Sequence, residues 1–167
     1  DGATLYLDKG VSLESHDPRN DVSIKNGGKL ISSDAEILLV GQNTYGTGSW
    51  LSSLIIERGG IVELSNTDIK SYDASRIENN AAAHHNIYVY EGGVLSMTDC
   101  TLESVNFFKA EKGSVVTLSE TTLQNLESGS DLTINDSTFE KKLILTSGAT
   151  VEGDKNTFTG NGEVIRL

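Results

Sequence analysis

The stretch that decides the fold is 87–102, which reads IYVYEGGVLSMTDCTL. Apolar residues alternate with other residues before the glycine pair Gly92-Gly93, after it, and again beyond the polar pair Thr98-Asp99. Alternation with period two is typical of short strands that bury one face. The stretch therefore predicts three strands, separated first by a glycine corner and then by a corner at which a short polar side chain hydrogen-bonds nearby backbone.

The same phrase recurs along the chain. Apolar residues at alternate positions precede a glycine with a small neighbour seven times, at Gly10, Gly27, Gly59, Gly92, Gly113, Gly129 and Gly148. In the first occurrence the apolar pair is Leu5 and Leu7. Recurrence of this kind marks stacked units that cannot bury their apolar face alone. The spacing of two favours strands over amphipathic helical repeats.

We therefore predict an all-β fold, a right-handed parallel β-helix (β-solenoid) of about seven rungs with three short strands per rung. The right-handed form is favoured because the intervals between glycines vary from 16 to 33 residues. Ile165 and Leu167 are expected to open a further rung. Residues 1–167 are expected to form a single domain and, because the pattern stops in mid-rung, a fragment of a longer solenoid.

The third strand of each rung predicts two inward columns and one outward column. The small inward column contains Cys100, which indicates a buried structural residue in place of a reactive thiol. The outward column is a ladder of small hydrogen-bonding side chains, suited to pairing with a second copy of the chain: Asp68, Thr101, Thr122, Thr138 and Thr157.

Composition narrows the partners. The net charge of −11 argues against nucleic acid and anionic membrane surfaces, which attract clustered Lys and Arg. We expect no direct membrane insertion, because the chain has no long apolar run. One cysteine excludes an internal disulfide, and no cofactor is expected.

The run 86–102 resembles the rungs of pertactin-like autotransporter passengers, a family of bacterial surface and secreted virulence proteins. The runs 114–123 and 130–139 do so as well. The same arrangement occurs in other right-handed β-helix proteins, including polysaccharide lyases and phage tailspikes. The resemblance implies an extracellular or cell-surface rod that is adhesive or self-associating, with function carried by loops that project from the spine.

Two long insertions leave the same corner of neighbouring rungs, with 17 residues from Ile37 to Leu54 and 18 from Ile69 to Ile87. We therefore expect two adjacent loops, over 41–53 and 72–86, as the recognition surface. Their aromatic, amide and charged groups suit a host glycan or an extracellular-matrix protein. The alternative is that the aromatic rings cover the flank of the spine. The candidate ligand-binding residues are Tyr45, Trp50, Tyr72, Arg76, Asn79, Asn80, His84 and His85.

Metal binding and catalysis receive less support. His84 and His85 are adjacent, so in a strand they point to opposite faces, and no further Cys or His stands at a zinc-like spacing; no metal site is predicted. Asp73, Arg76 and Glu78 have no second acidic cluster in register with them, as a glycosidase would need. We therefore expect an adhesin that binds through loops or self-associates. The alternative is a polysaccharide-degrading lyase or hydrolase, or a tailspike-like module.

Overall fold

The computed structural model describes residues 2–15, 21–44, 48–72, 86–105, 107–160 and 162–167. These residues form 22 strands and no helix. Successive strands fall in turn into three parallel sheets, each of which takes one strand from each of seven rungs. The predicted right-handed parallel β-helix with three strands per rung is thus confirmed.

We name the sheets by their place in a rung. The opening sheet precedes the glycine corner and contains β3 (Val22–Ile24), β7 (Leu54–Ile56), β10 (Ile87–Val89), β13 (Phe108–Ala110), β16 (Leu126–Ser128), β19 (Lys142–Leu145) and β22 (Glu163–Arg166). The second sheet contains β1 (Thr4–Leu7), β4 (Lys29–Ser33), β8 (Ile61–Ser65), β11 (Val94–Thr98), β14 (Val115–Ser119), β17 (Leu132–Asn135) and β20 (Val151–Glu152). The third sheet contains β2 (Ser12–Glu14), β5 (Glu36–Thr44), β9 (Asp68–Tyr72), β12 (Thr101–Glu103), β15 (Thr122–Leu123), β18 (Thr138–Phe139) and β21 (Thr157–Phe158), while β6 (Gly48–Leu51) pairs only with β5.

Inward columns of apolar side chains fill the spine. In the second sheet Leu118 pairs in register with Ile134, and both side chains are fully buried. Thr117 and Thr133 pair on the same strands but face outward. The predicted inward and outward positions are therefore confirmed for these rungs, because a slip of one residue would have exchanged them.

The five-residue glycine corners, such as those at Gly59 and Gly92, require a residue with positive φ. Gly59 and Gly92 have φ of 74° and 76°, a region that glycine enters at little cost. The small neighbour is needed for a different reason: a Cβ at Gly60 would lie 2.1 Å from the carbonyl oxygen of Ile24 in the preceding rung. Close stacking of successive backbones thus explains the glycine pair.

The polar corner between the second and third sheets also turns through one residue with positive φ, but a side chain is present there. Asp99 has φ of 53° and Glu120 has φ of 50°. The residue that follows points inward and closes the corner from inside: the hydroxyl of Thr121 donates to the carbonyl oxygen of Ser119 at 2.9 Å. Cys100 occupies the equivalent place, with Sγ 3.3 Å from the carbonyl oxygen of Thr98. Burial raises the pKa of the Cys100 thiol, in agreement with the predicted structural role.

The first predicted glycine phrase was assigned to the wrong corner. Leu5 pairs with Leu30, so β1 belongs to the second sheet and not to the opening sheet. Gly10 lies at the polar corner, where its N–H donates to the carbonyl oxygen of Asp34. The glycine corner of this rung is at Gly2, with φ of 75°. Glycine suits either corner because both need positive φ, so the sequence phrase alone does not distinguish them.

Two other rungs depart from the predicted pattern. The corner of one rung spans the five residues 111–115, whereas the corner stacked on it in the next rung spans only the three residues 129–131. In this shorter corner Gly129 does not have a positive φ. Ser128 completes this corner by accepting from the N–H of Ser130 at 3.1 Å. β22 opens a further rung as predicted, but its inward columns hold Val164 and Arg166, since Val164 pairs with Leu143. The predicted inward positions of Ile165 and Leu167 are therefore wrong by one residue.

The first long insertion is largely a strand hairpin, not the predicted loop. β5 continues to Thr44, and β6 returns antiparallel to it, with Gly41 paired with Leu51. β5 pairs with β9 as far as Val40 and Tyr72. The two insertions therefore leave the spine at adjacent points, as predicted.

Candidate ligand-binding groove

The predicted loop site lies mostly outside the described residues. Trp50 is in β6 opposite Gln42, and Tyr72 ends β9 opposite Val40, but the structure describes only their backbone. The other predicted ligand-binding residues lie outside the described part of the chain: Tyr45, Arg76, Asn79, Asn80, His84 and His85. Within residues that the structure does describe, no group of three or more His, Cys, Asp and Glu is placed to hold a metal ion.

The ladder predicted for self-association stands in register on the third sheet. Thr101 pairs with both Asp68 and Thr122 in neighbouring rungs, and Thr138 continues the column to Thr157. The hydroxyls of Thr138 and Thr157 are 2.9 Å apart, within hydrogen-bond distance. The column is exposed or half-buried along its length, so its side chains face outward as predicted.

A second surface was not predicted, and it is built by the glycine corners. In four successive rungs, two residues separate the opening strand from its glycine: Lys25-Asn26, Glu57-Arg58, Tyr90-Glu91 and Glu111-Lys112. The first residues of these pairs lie in one column along the stack. Backbone hydrogen bonds between rungs place them there: the N–H of Tyr90 donates to the carbonyl oxygen of Ile56, and the N–H of Glu111 donates to that of Val89, each at 2.9 Å. Residues far apart in sequence thereby become neighbours.

Three of these corners, those of Glu57-Arg58, Tyr90-Glu91 and Glu111, border an open groove of about 520 Å³, which we call the tyrosine groove. Its volume falls within the range of small-molecule sites, roughly 300–1,000 Å³. The lining consists of one aromatic, one aliphatic and four charged side chains: Ile55, Glu57, Arg58, Tyr90, Glu91 and Glu111. The groove thus combines an apolar surface with hydrogen-bonding groups of both signs.

The aromatic part of the groove is held by a tyrosine pair. Tyr90 is 41% exposed, and its ring centroid lies 4.2 Å from that of Tyr88, with the planes inclined by 53°. Tyr88 stands on the outer face of the opening sheet and donates its hydroxyl to Oε1 of Glu111. Burial, followed by this hydrogen bond, raises the pKa of Tyr88 far above its ordinary value. Tyr88 therefore supports Tyr90 and also orients a carboxylate of the groove.

The charged part is ordered along the stack. Arg58 and Glu91 form an ion pair of 3.0 Å between adjacent rungs. The stem of Arg58 lies over Gly92, since a Cβ at that glycine would lie 3.1 Å from Cγ of Arg58. Glu57 accepts the hydroxyl of Ser23 at 2.8 Å and is 3.8 Å from Nζ of Lys25. Gly92 thus turns the chain and also leaves room for the stem of Arg58.

Glu111 differs from the other two carboxylates of the groove. In the part of the chain that the structure describes, no Lys, Arg or His nitrogen lies within ion-pair distance of Glu111. Among the described residues, Glu111 is therefore the carboxylate of the groove that has no ion pair. A repeat-aligned reading of the two variable positions before each glycine would have found this column, because Tyr90 is the one aromatic residue among them in the rungs that form the groove.

Comparison of the chain with protein-family models, with curated proteins and with solved structures gave no match. Among the described residues, no helix is long and apolar enough to cross a membrane. The resemblance to autotransporter passengers therefore stays a prediction, and the geometry of the groove and of the ladder is the basis for the functional proposals below.

Proposed function

We propose that this chain is part of a bacterial cell-surface or secreted adhesin, in which a rigid β-helix spine presents a glycan-binding surface on its side. The observation that carries the proposal is the tyrosine groove, where the exposed ring of Tyr90 stands among carboxylates and a guanidinium. The extracellular location is inferred from the resemblance of the rungs to autotransporter passengers and belongs to the same proposal.

A sugar ring requires two kinds of contact, and the groove offers both. The ring of Tyr90 supplies an apolar platform for a face of C–H groups. The carboxylates of Glu57 and Glu91 accept hydrogen bonds from sugar hydroxyls, and the guanidinium of Arg58 donates to them. Most of these side chains are well exposed, as the 75% exposure of the Arg58 side chain illustrates, so we expect weak single-site affinity strengthened by multivalent display.

Substitution of Tyr90 tests the proposal. A glycan array first identifies a ligand, and titration then compares the wild type with Tyr90→Ala and Tyr90→Phe. We expect Tyr90→Ala to weaken binding about fivefold, because an aromatic stacking contact contributes about 1 kcal/mol, whereas Tyr90→Phe retains the platform. Tyr6→Ala is the matched control, since Tyr6 is 62% exposed on a different sheet.

Wild-type affinity in Tyr90→Ala would remove the groove from the binding site. Trp50→Ala and Tyr72→Ala, titrated with the same glycan and with matrix proteins, would then test the two insertions instead. Release of reducing or unsaturated sugars from polysaccharide would favour the alternative enzyme function.

A second candidate function is self-association through the ladder on the third sheet. It is favoured by the register of that column and by the hydroxyl contact between Thr138 and Thr157. The net charge of −11 opposes association at low salt, so we expect dimers to increase as salt is added. Sedimentation across a salt series, with Thr122→Lys and the second-sheet control Thr117→Lys, checks this: a monomer at every salt concentration contradicts it.

A further inference from the structure

We infer that the tyrosine groove selects a glycan that carries a free amino group, such as a chain of glucosamine units. The inference rests on the proposed function and adds the charge of the ligand to it. Three observations support it: the charges that line the groove, the position of Glu111 and the exposure of Tyr90.

The groove is acidic after its internal ion pairs are counted. Three carboxylates line it, together with one guanidinium. Arg58 is paired with Glu91, and Lys25 approaches Glu57 from outside the groove at 3.8 Å. Among the residues that the structure describes, Glu111 is then the one carboxylate of the groove without an ion pair. Because nearby opposite charge attracts and like charge repels, an ammonium group is favoured here over a neutral group, and a uronate or other acidic sugar is disfavoured.

Glu111 is also fixed in position. The hydroxyl of Tyr88 donates to one of its oxygens, so part of the entropy cost of ordering the side chain is met before a ligand arrives. Glu111 follows Tyr90 directly in the column of the glycine corners. An ammonium group that contacts Glu111 therefore lies beside the ring of Tyr90, where its charge is attracted to the aromatic face.

The two contacts together require a cation and a ring in one ligand. A simple amine would reach Glu111 but would leave most of the groove and the platform of Tyr90 unused. A neutral sugar would use the platform but would leave the charge of Glu111 without a partner. An amino sugar satisfies both, so the selectivity expected is for the combination.

Three soluble probes separate these contributions in titrations of the full chain. They are the glucosamine trisaccharide, the N-acetylglucosamine trisaccharide and the non-sugar amine spermine. We expect the glucosamine trisaccharide to bind about tenfold more tightly than its acetylated form at low salt, with the difference shrinking as salt is added. Spermine is expected to bind more weakly than the glucosamine trisaccharide, although it carries the larger positive charge.

Glu111→Gln is the decisive variant, because glutamine keeps an acceptor for the hydroxyl of Tyr88 while the charge is removed. We expect this variant to reduce the preference for the glucosamine trisaccharide over the acetylated form about threefold to fivefold. Glu63→Gln is the matched control, since Glu63 is an exposed carboxylate on the second sheet.

The outcomes distinguish the inference from the proposed function. Equal affinity for the two trisaccharides, or a preference that Glu111→Gln does not change, overturns the inference and leaves glycan binding in place. Spermine binding as tightly as the glucosamine trisaccharide overturns it as well, since charge alone would then explain recognition. If the glycan array gives ligands whose binding is insensitive to Tyr90→Ala, the groove itself is excluded and both fall together.

Discussion

The two corners that flank the second sheet solve the same backbone problem with different consequences. Each turns the chain from one sheet into the next through one residue of positive φ, as at Gly92 and at Asp99. The glycine corner has two further positions that face outward, and these carry Tyr90 and the charges of the groove. The polar corner instead turns its next side chain inward, as at Cys100, where it bonds the backbone.

The difference separates stability from recognition within one rung. Inward side chains at the polar corner are constrained by the core, so Thr67, Cys100, Thr121 and Ser137 are all small and all at most 2% exposed. Outward side chains before the glycine are free to vary, and they do so from rung to rung while the backbone stays in register. Variation on a fixed spine is how a solenoid acquires a binding surface.

The largest effect is expected in the interior that both corners enclose. Ile134→Ala should lower the free energy of unfolding by roughly 2–5 kcal/mol, because the side chain is fully buried and its loss leaves a cavity. Thr133→Ala, on the outward side of the same strand, should cost less than about 1 kcal/mol. Denaturant titration compares the two, and loss of amide protection near Leu118 and Leu145 would show that neighbouring rungs loosen as well.

A larger loss of stability in Thr133→Ala than in Ile134→Ala would contradict the register of the second sheet. The columns at both corners would then have to be reassigned, and the tyrosine groove with them.

Gly60→Ala tests the glycine corner alone. Its Cβ would lie 2.1 Å from the carbonyl oxygen of Ile24, so adjacent backbones must move apart, at a cost of roughly 1–3 kcal/mol. At the polar corner the matched change is Asp99→Gly, which places a glycine at a position that already has positive φ. Because glycine adopts this conformation easily, the change should alter stability by less than about 1 kcal/mol. Thermal unfolding of the two variants checks the contrast. A similar loss in both would mean that close stacking is not specific to the glycine corner.

The sequence predicted the parts of the structure that depend on period two and on positive φ. Regular rungs such as that of Leu95 and Met97 follow from alternation, because an inward face must be apolar in every rung. The sequence pattern placed Gly10 at the wrong corner, since glycine is compatible with the positive φ of either corner. It also missed the tyrosine groove, because Glu57, Tyr90 and Glu111 come together only through the register of three rungs. The hairpin of β5 and β6 was missed because residues 41–49 are mostly Gly and polar residues, without the alternation of apolar and polar residues that marks a strand.

Removal of the hydroxyl at Thr121 tests the inward side of the polar corner. Thr121→Val keeps the shape of the side chain but loses the bond to the carbonyl oxygen of Ser119, which still accepts from the N–H of Asp99 at 3.0 Å. Because the carbonyl retains one partner, we expect a cost of about 1 kcal/mol. Thr117→Val, on the outer face of the second sheet, should cost less. Urea unfolding distinguishes them, and equal costs would argue that the corner hydroxyl is not structural.

The smallest effect on stability is expected at the short corner 129–131, where Asp131 contacts Thr150 in the next rung. The hydroxyl and then the N–H of Thr150 donate to this carboxylate, each at 2.8 Å, and lower the pKa of Asp131. A pKa that is lower in the folded state stabilises the fold above the ordinary value of about 3.9, and this contribution is lost as the pH falls through the folded value. Thr150→Val should therefore be less stable than wild type at neutral pH, by a margin that disappears in acid.

Thr146→Val is the matched control. The Thr146 hydroxyl donates to the carbonyl oxygen of Ser128 at 3.3 Å, so the effect of this variant should not follow the titration of a carboxylate. Unfolding midpoints measured from neutral to acidic pH decide the matter: a difference between Thr150→Val and wild type that stays constant with pH would show that the hydroxyl does not act through the charge of Asp131.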